Sequence, residues 1–255
     1  MQWLRAELHV HTVLSPCAAV EMIPPLIVSK ALKHGIKMIA ITDHNSSANV
    51  PAVIEAAQGS GLTVLPGMEV HTFEDVHVLT IFDDVEALQA WQKLVDQALP
   101  DIPNRAEFFG EQYVVDESGE FLACEERLLI QATNLTLDQV FHQATALGGL
   151  VIPAHVDRKA YGLIGTLGFV PHDLKFPALE LSRHIEISQA LQTYPQISGY
   201  ALIQSGDVHF LDDFLGWNHF SVQSPTISEI RLALKKAQDR DFSIHMVAGI
   251  TPKSS

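Results

Sequence analysis

The sequence predicts an α/β protein in which parallel strands form a barrel-like sheet with helices around it. Six or seven short apolar runs, most of them followed by a polar cluster and an amphipathic stretch, account for most of the chain. We find no internal repeat, charge block or Ser/Gly-rich linker among the 255 residues. A chain of this length can bury a large core, so we predict one domain over residues 1–255.

The first part of the chain alternates strand and helix signals. Strands are predicted at residues 3–8, 37–42 and 62–65, where most side chains are apolar or β-branched. Pro24 near the first turn and Gly35 just beyond the last turn indicate a helix over residues 24–33. A shorter predicted helix over residues 50–58 ends at glycine.

The middle of the chain predicts a hairpin, a helix and an insertion. Residues 70–82 indicate two short strands around a turn near residues 74–75. In the predicted helix over residues 85–99, Leu88, Trp91 and Val95 recur at the spacing of one helical face. Residues 100–135 interrupt the rhythm, and we interpret them as an insertion with a hairpin at residues 112–116 and 121–124.

Two threonines open the helices of the last part. Thr136 with Gln139, and Thr226 with Glu229, have the spacing of capping boxes. The two helices are predicted to run to Gly148 and to about residue 238. Strands are predicted at residues 149–153, 178–181, 200–204 and 242–247, with a helix between the second and the third.

Charge and cysteine content narrow the function classes. The 16 Lys and Arg against 30 Asp and Glu give a formal net charge of −14, which disfavours stable binding of duplex nucleic acid. The two cysteines, Cys17 and Cys124, cannot form a disulfide framework, and the first residues lack the pattern of a signal peptide. No apolar run approaches the roughly 20 residues of a membrane span. We predict a cytoplasmic protein that binds no membrane; the oligomeric state is unknown.

Side chains that can bind metal ions come directly after, or within, the predicted strand segments. Alternate residues of a strand share a face, so His9 and His11 can reach one ion, as can Asp207 and His209. The C-terminal ends of barrel strands meet at one mouth, so we expect these side chains to converge. Six His with two or three carboxylates suit two or three divalent ions, namely Zn, Mn or Fe. The predicted ligands are His9, His11, His44, Glu69, His77, His155, Asp207 and His209, and Asp43 stands beside them.

At these residues the chain resembles the PHP family, the polymerase and histidinol phosphatase superfamily. The resemblance rests on ELHVHT (7–12), ITDHN (41–45), PGMEV (66–70), VHVL (76–79), IPAHVDR (152–158) and SGDVHFLDD (205–213). It implies a distorted (β/α)7 TIM-like barrel and a metal-dependent phosphoesterase with two or three metal ions. It also implies a first metal site of His9, His11, Glu69 and Asp207, a second of Glu69, His77 and His155, and a third of His44 and His209.

Several positions leave alternatives open. Some relatives carry a third His eight residues after the first His of the HxH motif, where this chain has Cys17. Cys17 is then either a ligand of the third site or a small loop residue beside a weak site. The resemblance places Asp43 next to the ligands, in a positioning or proton-handling role. His71 exchanges roles with His77 if the turn between them is placed differently. The six remaining histidines are interpreted as structural; they are His34, His142, His172, His184, His219 and His245.

A phosphate needs cations beyond the metals. Arg158, three residues after His155, and Arg183, after the strand at 178–181, are the predicted substrate-binding residues. We predict a phosphatase that hydrolyses a small phosphomonoester of the nucleotide, sugar or histidinol phosphate type. A hydroxide bridging the ions would attack in line, and Asp43 or His209 would protonate the leaving group.

Other functions stay open from the sequence alone. One is a phosphodiesterase or exonuclease that acts on nucleic acid or cyclic phosphates. Another is a C–N hydrolase of the amidohydrolase type, in which a Lys would take the bridging place predicted for Glu69. A third is a non-enzymatic module with a structural or regulatory metal cluster. The insertion aromatics Phe108, Phe109 and Tyr113 could stack a base, or serve as core or lid.

Overall fold

The structure is a computed structural model, and it describes residues 1–245. Its strands are β1 (Gln2–Val10), β2 (Met38–Ile41), β3 (Thr63–His71), β4 (His77–Ile81), β5 (Tyr113–Val115), β6 (Phe121–Cys124), β7 (Leu150–Pro153), β8 (Leu179–Leu181), β9 (Leu202–Gln204), β10 (Asn218–Val222) and β11 (Asp241–Ile244). Its helices are α1 (Pro24–Lys33), α2 (Val50–Ala56), α3 (Val85–Ala98), α4 (Ala106–Phe109), α5 (Leu137–Ala146), α6 (Leu163–Leu167), α7 (Ile187–Thr193) and α8 (Ile227–Leu234).

Seven strands form one curled sheet in the order β11-β10-β1-β2-β3-β4-β7. β1, β2 and β3 are parallel, whereas β4 and β10 run antiparallel to both of their neighbours. β3 and β4 are antiparallel because the residues 72–76 between them are too few for the crossover that parallel neighbours need, and they form the hairpin predicted around a turn near residues 74–75. The antiparallel β10 departs from the predicted parallel sheet.

A separate parallel pair, β8 and β9, links β7 back toward β1. Val156, just beyond β7, donates its N–H to the Glu180 carbonyl in β8 at 2.8 Å. Val208, beyond β9, donates to the His9 carbonyl and accepts from the His11 N–H, both at 3.0 Å. The α/β class is thus confirmed, with a TIM-like curled sheet; seven regular β/α units are not visible as such in residues 1–245.

Two apolar cores lie on opposite faces of this sheet. The first packs strand residues against six helices, with Ile27 of α1 and Trp91 of α3 among its members. The second consists of strand residues such as Leu8 and Ile152 together with one face of α8, which includes Ile230. Burial of these apolar side chains supplies the main driving force for this arrangement.

A bulge in β1 sets the direction of the HxH motif. Glu7 pairs with Ile39 and Val10 pairs with Ile41, so β1 holds one more residue than β2 between these pairs. Leu8 accordingly packs in the second core, whereas Val10 packs in the first. Such bulges re-aim side chains, and here the bulge lies beside two predicted metal ligands.

The insertion over residues 100–135 contains the β5–β6 hairpin that its pattern predicts, together with α4. Two buried amides near the site hold it in place. Asn45 donates to the carbonyls of Leu129 and Gln131 at 2.7 and 2.9 Å. Asn49 donates to the Tyr113 carbonyl and accepts from the Val115 N–H, both at 2.9 Å.

The N-termini of α5 and α8 test the two predicted capping boxes. At Thr136 the capping box forms in both directions with Gln139. At Thr226 only half of it forms, because the Glu229 carboxylate binds the Gln223 N–H and the Arg240 guanidinium instead.

Three elements escaped prediction: α4, α6 and β10. β10 begins with Asn218 and His219, which hide its strand pattern. α8 ends at Leu234 rather than near residue 238, and β11 ends at Ile244. The strand prediction at residues 246–247 lies outside the described residues. Across residues 1–245, the helices are all too short or too polar to span a membrane.

Candidate metal centre

The predicted ligands converge on one buried carboxylate, that of Glu69 in β3, which is 1% exposed. Its Oε1 faces one group of imidazole nitrogens, those of His9 (Nε2, 3.2 Å), His77 (Nδ1, 3.0 Å) and His155 (Nε2, 3.3 Å). Its Oε2 faces His44 Nδ1 at 2.9 Å and His11 Nε2 at 3.5 Å. Oδ1 of Asp207 lies 3.3 Å from His9 Nε2 and 3.4 Å from His11 Nε2. Glu69 therefore lies between two groups of ligands.

Strand direction explains why these side chains meet. His9 lies at the end of β1, His44 follows β2, and His155 follows β7, all at one edge of the sheet. β4 runs the other way, so its first residue, His77, reaches the same edge. His71 instead binds the Ile130 carbonyl and Asp75, so His77 rather than His71 faces Glu69.

The cluster fits divalent ions by two observations. Both Glu69 oxygens, His44 Nδ1 and His155 Nδ1 are buried and have no hydrogen-bond partner, which is costly unless another group binds them. The nitrogen–oxygen distances of 2.9 to 3.5 Å also resemble the separation of neighbouring ligands around one tetrahedral ion, about 3.3–3.4 Å for bonds of about 2.0–2.1 Å. Groups of three ligand atoms within 4.8 Å include His9, His11 and Glu69, and His44, Glu69 and His77.

The ring orientation of His9 is held by a carboxylate that the sequence analysis missed. Glu180, 1% exposed in β8, accepts from His9 Nδ1 at 2.9 Å, which leaves Nε2 directed at the cluster. The same oxygen accepts the His155 N–H at 3.1 Å. Carboxylates that hold a metal-binding His in this way raise its basicity and fix its tautomer. The one available signal was a single acidic residue inside the apolar strand segment 178–181.

The ring orientation of His11 depends on Asp43. Ser15 Oγ donates to Asp43 Oδ1 at 2.7 Å, so it can only accept from His11 Nδ1, 3.0 Å away. Asp43 also accepts from the Thr12 N–H and hydroxyl, both at 2.7 Å. Asp43 is fully buried and is not among the residues that line the cavity described below. Asp43 thus lies next to the predicted ligands and contacts His11 through Ser15.

Glu7, a second carboxylate that the sequence analysis missed, shapes the loop that carries Asp207. It accepts three backbone N–H groups, those of Gly206 at 2.8 Å and of Leu215 and Gly216 at 2.9 Å. Burial raises the pKa of Glu7 to about 7. Asp207 itself has a left-handed φ of 50°, and His155 has φ 29°. Such strain of non-glycine residues is typical of functional sites.

Charges within the cluster support one another. Burial alone would raise the pKa of Glu69, but the charges of His77 and His9 outweigh it and hold the pKa well below its usual value. Asp207 behaves alike, because His9 and His11 outweigh the effect of burial on its pKa. Both carboxylates are thus ionised, as metal ligands must be.

A cavity of about 600 Å³ opens onto the cluster, a size typical of small-molecule sites. Both predicted substrate-binding arginines lie on its wall, where Arg158 contacts Asp207 Oδ2 at 2.7 Å and Arg183 contacts Asp213 at 2.6 Å. Lys159 and His184 lie there too, although His184 was interpreted as structural. Aromatic rings on the wall come from Tyr161 and Phe210, whereas Phe108, Phe109 and Tyr113 are not among its lining residues.

Comparison with known proteins agrees with this site. The family model for the PHP domain matches residues 7–148, more than half of the chain. The chain belongs to the PHP domain family. The resemblance to this family predicted from the sequence is thereby confirmed. The family match covers four of the six motifs and the ligands from His9 to His77.

Sequence relatives of this PHP chain include much longer proteins. The chain is 37% identical over 82 residues to the PolC-type DNA polymerase III of Streptococcus pneumoniae, which covers 32% of the chain and 6% of the polymerase. It is 41% identical over 71 residues to that of Oceanobacillus iheyensis, or 28% of the chain and 5% of the polymerase. The chain therefore spans only a small fraction of these relatives.

Solved structures share the fold of the PHP chain. The lesion-specific endonuclease PfuEndoQ of Pyrococcus furiosus superposes with a TM-score of 0.65 at 19% identity, over 94% of this chain and 58% of that one. An Endonuclease Q bound to a 27-mer duplex with an abasic lesion gives 0.63 at 18% identity, over the same shares of both chains. A protein of Bifidobacterium adolescentis classed as a metal-dependent phosphoesterase gives 0.56 at 17%, over 91% and 96%. At these identities the likeness shows the fold.

Proposed function

We propose that this PHP-family chain hydrolyses the phosphate monoester of a small molecule at the Glu69 cluster. The observation that carries the proposal is the cavity of about 600 Å³, which joins the ligand cluster to Arg158, Lys159 and Arg183. Cations at the mouth of an acidic protein with net charge −14 create a local site for an anion. A cavity of this size suits a small phosphorylated substrate better than a long polymer.

Arg158 connects the phosphate to the metal centre. One of its nitrogens binds Asp207 Oδ2, which turns Oδ1 of the same carboxylate toward His9 and His11. Its side chain is 46% exposed, so further donors of the planar guanidinium face the cavity. A guanidinium can bind two phosphate oxygens at once, and we assign this role to Arg158, with Arg183 as the second cation.

Divalent ions bound at the cluster would polarise the phosphate and activate a water molecule for in-line attack. His9, His11, Glu69 and Asp207 would hold one ion and Glu69, His77 and His155 another, with Glu69 shared. The identity of the ions, Zn, Mn or Fe, is part of this proposal. Asp43, being buried and fully hydrogen-bonded, positions His11 rather than moving a proton.

His209 was predicted both as a ligand and as an acid, and its contacts favour the ligand role. Nδ1 of His209 donates to the Asp207 carbonyl at 3.0 Å, and Nε2 faces Cys17 Sγ at 3.1 Å. Neither nitrogen is free for a leaving group. We therefore assign protonation of the leaving oxygen to solvent at the open mouth of the cavity.

Metal-loaded protein should be tested on p-nitrophenyl phosphate, bis-p-nitrophenyl phosphate, nucleotides and sugar phosphates. We expect turnover of monoesters and, for Arg183→Ala, a KM raised about 10- to 100-fold with unchanged metal content, as for the loss of a charged hydrogen bond. Arg127→Ala is the control, because Arg127 pairs with Asp96 of α3 and with Glu125 of the insertion and does not line the cavity. Lack of monoester turnover by metal-loaded protein would overturn the proposal.

A second candidate is hydrolysis of a phosphodiester in nucleic acid. The exposed rings of Tyr161 and Phe210 beside the cavity favour it, since aromatic rings stack bases. The structural neighbours include an endonuclease bound to duplex DNA, so the predicted lack of duplex binding stays a prediction. Cleavage of single-stranded or abasic duplex oligonucleotides, faster than that of any monoester, would select this function. For a C–N hydrolase of the amidohydrolase type, the bridging residue would be Lys, whereas here the Glu69 carboxylate lies between the two groups of imidazoles.

A further inference from the structure

We propose that the sulfur of Cys17, together with His44 and His209, binds a third ion, and that this site prefers Zn²⁺ to Mn²⁺ or Mg²⁺. The inference deepens the metal centre on which the proposed function rests. It concerns a position at which this chain has a thiol instead of an imidazole. A sulfur ligand would give one of the three sites a different metal preference from the other two.

The backbone brings the thiol to the cluster. Cys17 lies in the turn that follows the HxH motif, where Ser15 accepts the Ala18 N–H at 2.9 Å. Ala19 donates to the His209 carbonyl at 2.9 Å, so the Cys17 turn and the His209 segment are joined directly. As a result the sulfur of Cys17 lies 3.1 Å from His209 Nε2.

The tautomer of His209 suits ligation next to this sulfur. A carbonyl oxygen can only accept, so His209 Nδ1 must carry the proton that it donates to the Asp207 carbonyl. The lone pair of Nε2 is then directed at the sulfur. Histidines that bind metals in proteins commonly donate their other nitrogen to a carbonyl in this way.

His44 supplies an independent observation that points to an ion. It is 5% exposed, and its buried Nδ1 lies 2.9 Å from Glu69 Oε2 without forming a hydrogen bond. Ligand atoms of His11, His44 and His209 all lie within 4.8 Å of one another. Cys17 lines the same cavity as His44 and His209, so the sulfur and these two imidazoles face one space.

Ligand chemistry sets the preference for the metal. Thiolate is a soft ligand that binds Zn²⁺ well, whereas Mg²⁺ and Mn²⁺ favour carboxylate, carbonyl and water oxygens. The Glu69 sites use imidazole and carboxylate, which suit a wider range of ions. We therefore expect mixed occupancy when Zn²⁺ is limiting and Mn²⁺ is in excess, with Zn²⁺ at the Cys17 site.

X-ray absorption at the zinc edge tests the assignment directly. The zinc-loaded protein should show a sulfur shell at about 2.3 Å, equivalent to one sulfur among all bound zinc ions. Cys17→Ser should abolish this shell, and Cys17→His should restore metal content without sulfur. Cys124→Ser is the matched control, because Cys124 is the other free cysteine and lies in β6 of the insertion, outside the cavity.

A sulfur-free zinc spectrum of the unaltered protein would overturn the proposal. Alkylation of Cys17 in the Cys124→Ser background is the second readout. Zn²⁺ should slow it at least tenfold and Mn²⁺ should not; equal protection by both ions, or by neither, would overturn the metal preference. Phosphoester turnover with nitrogen and oxygen shells alone would refute only the Cys17 site. A sulfur shell without any phosphoester turnover would refute the proposed function and leave this site standing.

Discussion

Replacing Glu180 by Gln tests whether a charge behind the ligands holds the metal centre together. One oxygen of Glu180 accepts both from His9 Nδ1 at 2.9 Å and from the His155 N–H at 3.1 Å. The other oxygen is buried without a hydrogen-bond partner. Gln can place its amide oxygen where the accepting oxygen of Glu180 lies and its NH₂ where the oxygen without a partner lies. The substitution therefore keeps the two contacts and removes the negative charge.

The substitution should lower metal affinity by the contribution of one charge-assisted hydrogen bond. Removing partners that hold a metal-binding His costs about 10- to 100-fold in metal affinity. That range corresponds to about 1.4–2.7 kcal/mol. Glu180 is 1% exposed, so solvent screens this contact little and the upper half of the range is expected. The dissociation constant of the site that contains His9 should rise accordingly.

The assay is competition with a chromophoric chelator, which gives the dissociation constant of each bound ion. Glu186→Gln is the matched control, because it makes the same chemical change six positions away on an exposed side chain. Circular dichroism of the metal-free variants checks that both remain folded. Unchanged zinc affinity in folded Glu180→Gln protein would refute the idea that this charge supports His9.

Three further predictions follow from other contacts. Asp43→Asn should weaken metal binding about tenfold, because it disturbs the Ser15 contact that orients His11; the same chelator competition measures it. Burial raises the pKa of Glu7 to about 7 from 4.5, so its contribution to stability is present below about pH 4.5 and is lost as the pH rises through 7. The free energy of unfolding of the metal-free protein, measured with urea, should therefore fall by at most about 3 kcal/mol between pH 5 and 8, and Glu7→Gln should flatten this change. Removing metal with EDTA should lower Tm in a way that added Zn²⁺ reverses, since an ion that binds only the folded state stabilises it; an unchanged Tm would contradict the metal centre.

The sequence determined the candidate ligands because their signals are local. The HxH and DxH spacings predict that His9 and His11, and likewise Asp207 and His209, point to the same side of the chain at a strand end. Each motif follows or ends an apolar strand segment, and strand ends in α/β folds gather at one edge. The α/β class, the insertion and the family resemblance could be predicted from the sequence for the same reason, since each depends on short-range patterns.

Only the tertiary structure decided which groups stand behind the ligands and which way the strands run. Glu180 comes 171 positions after His9, and no spacing rule connects them. The three N–H groups that Glu7 accepts lie about 200 positions further along the chain. The choice of His77 over His71 depended on the antiparallel pairing of β4 with β3. Such contacts arise when the sheet curls and buries both faces, so their partners are set by packing across the whole fold rather than by the neighbouring sequence.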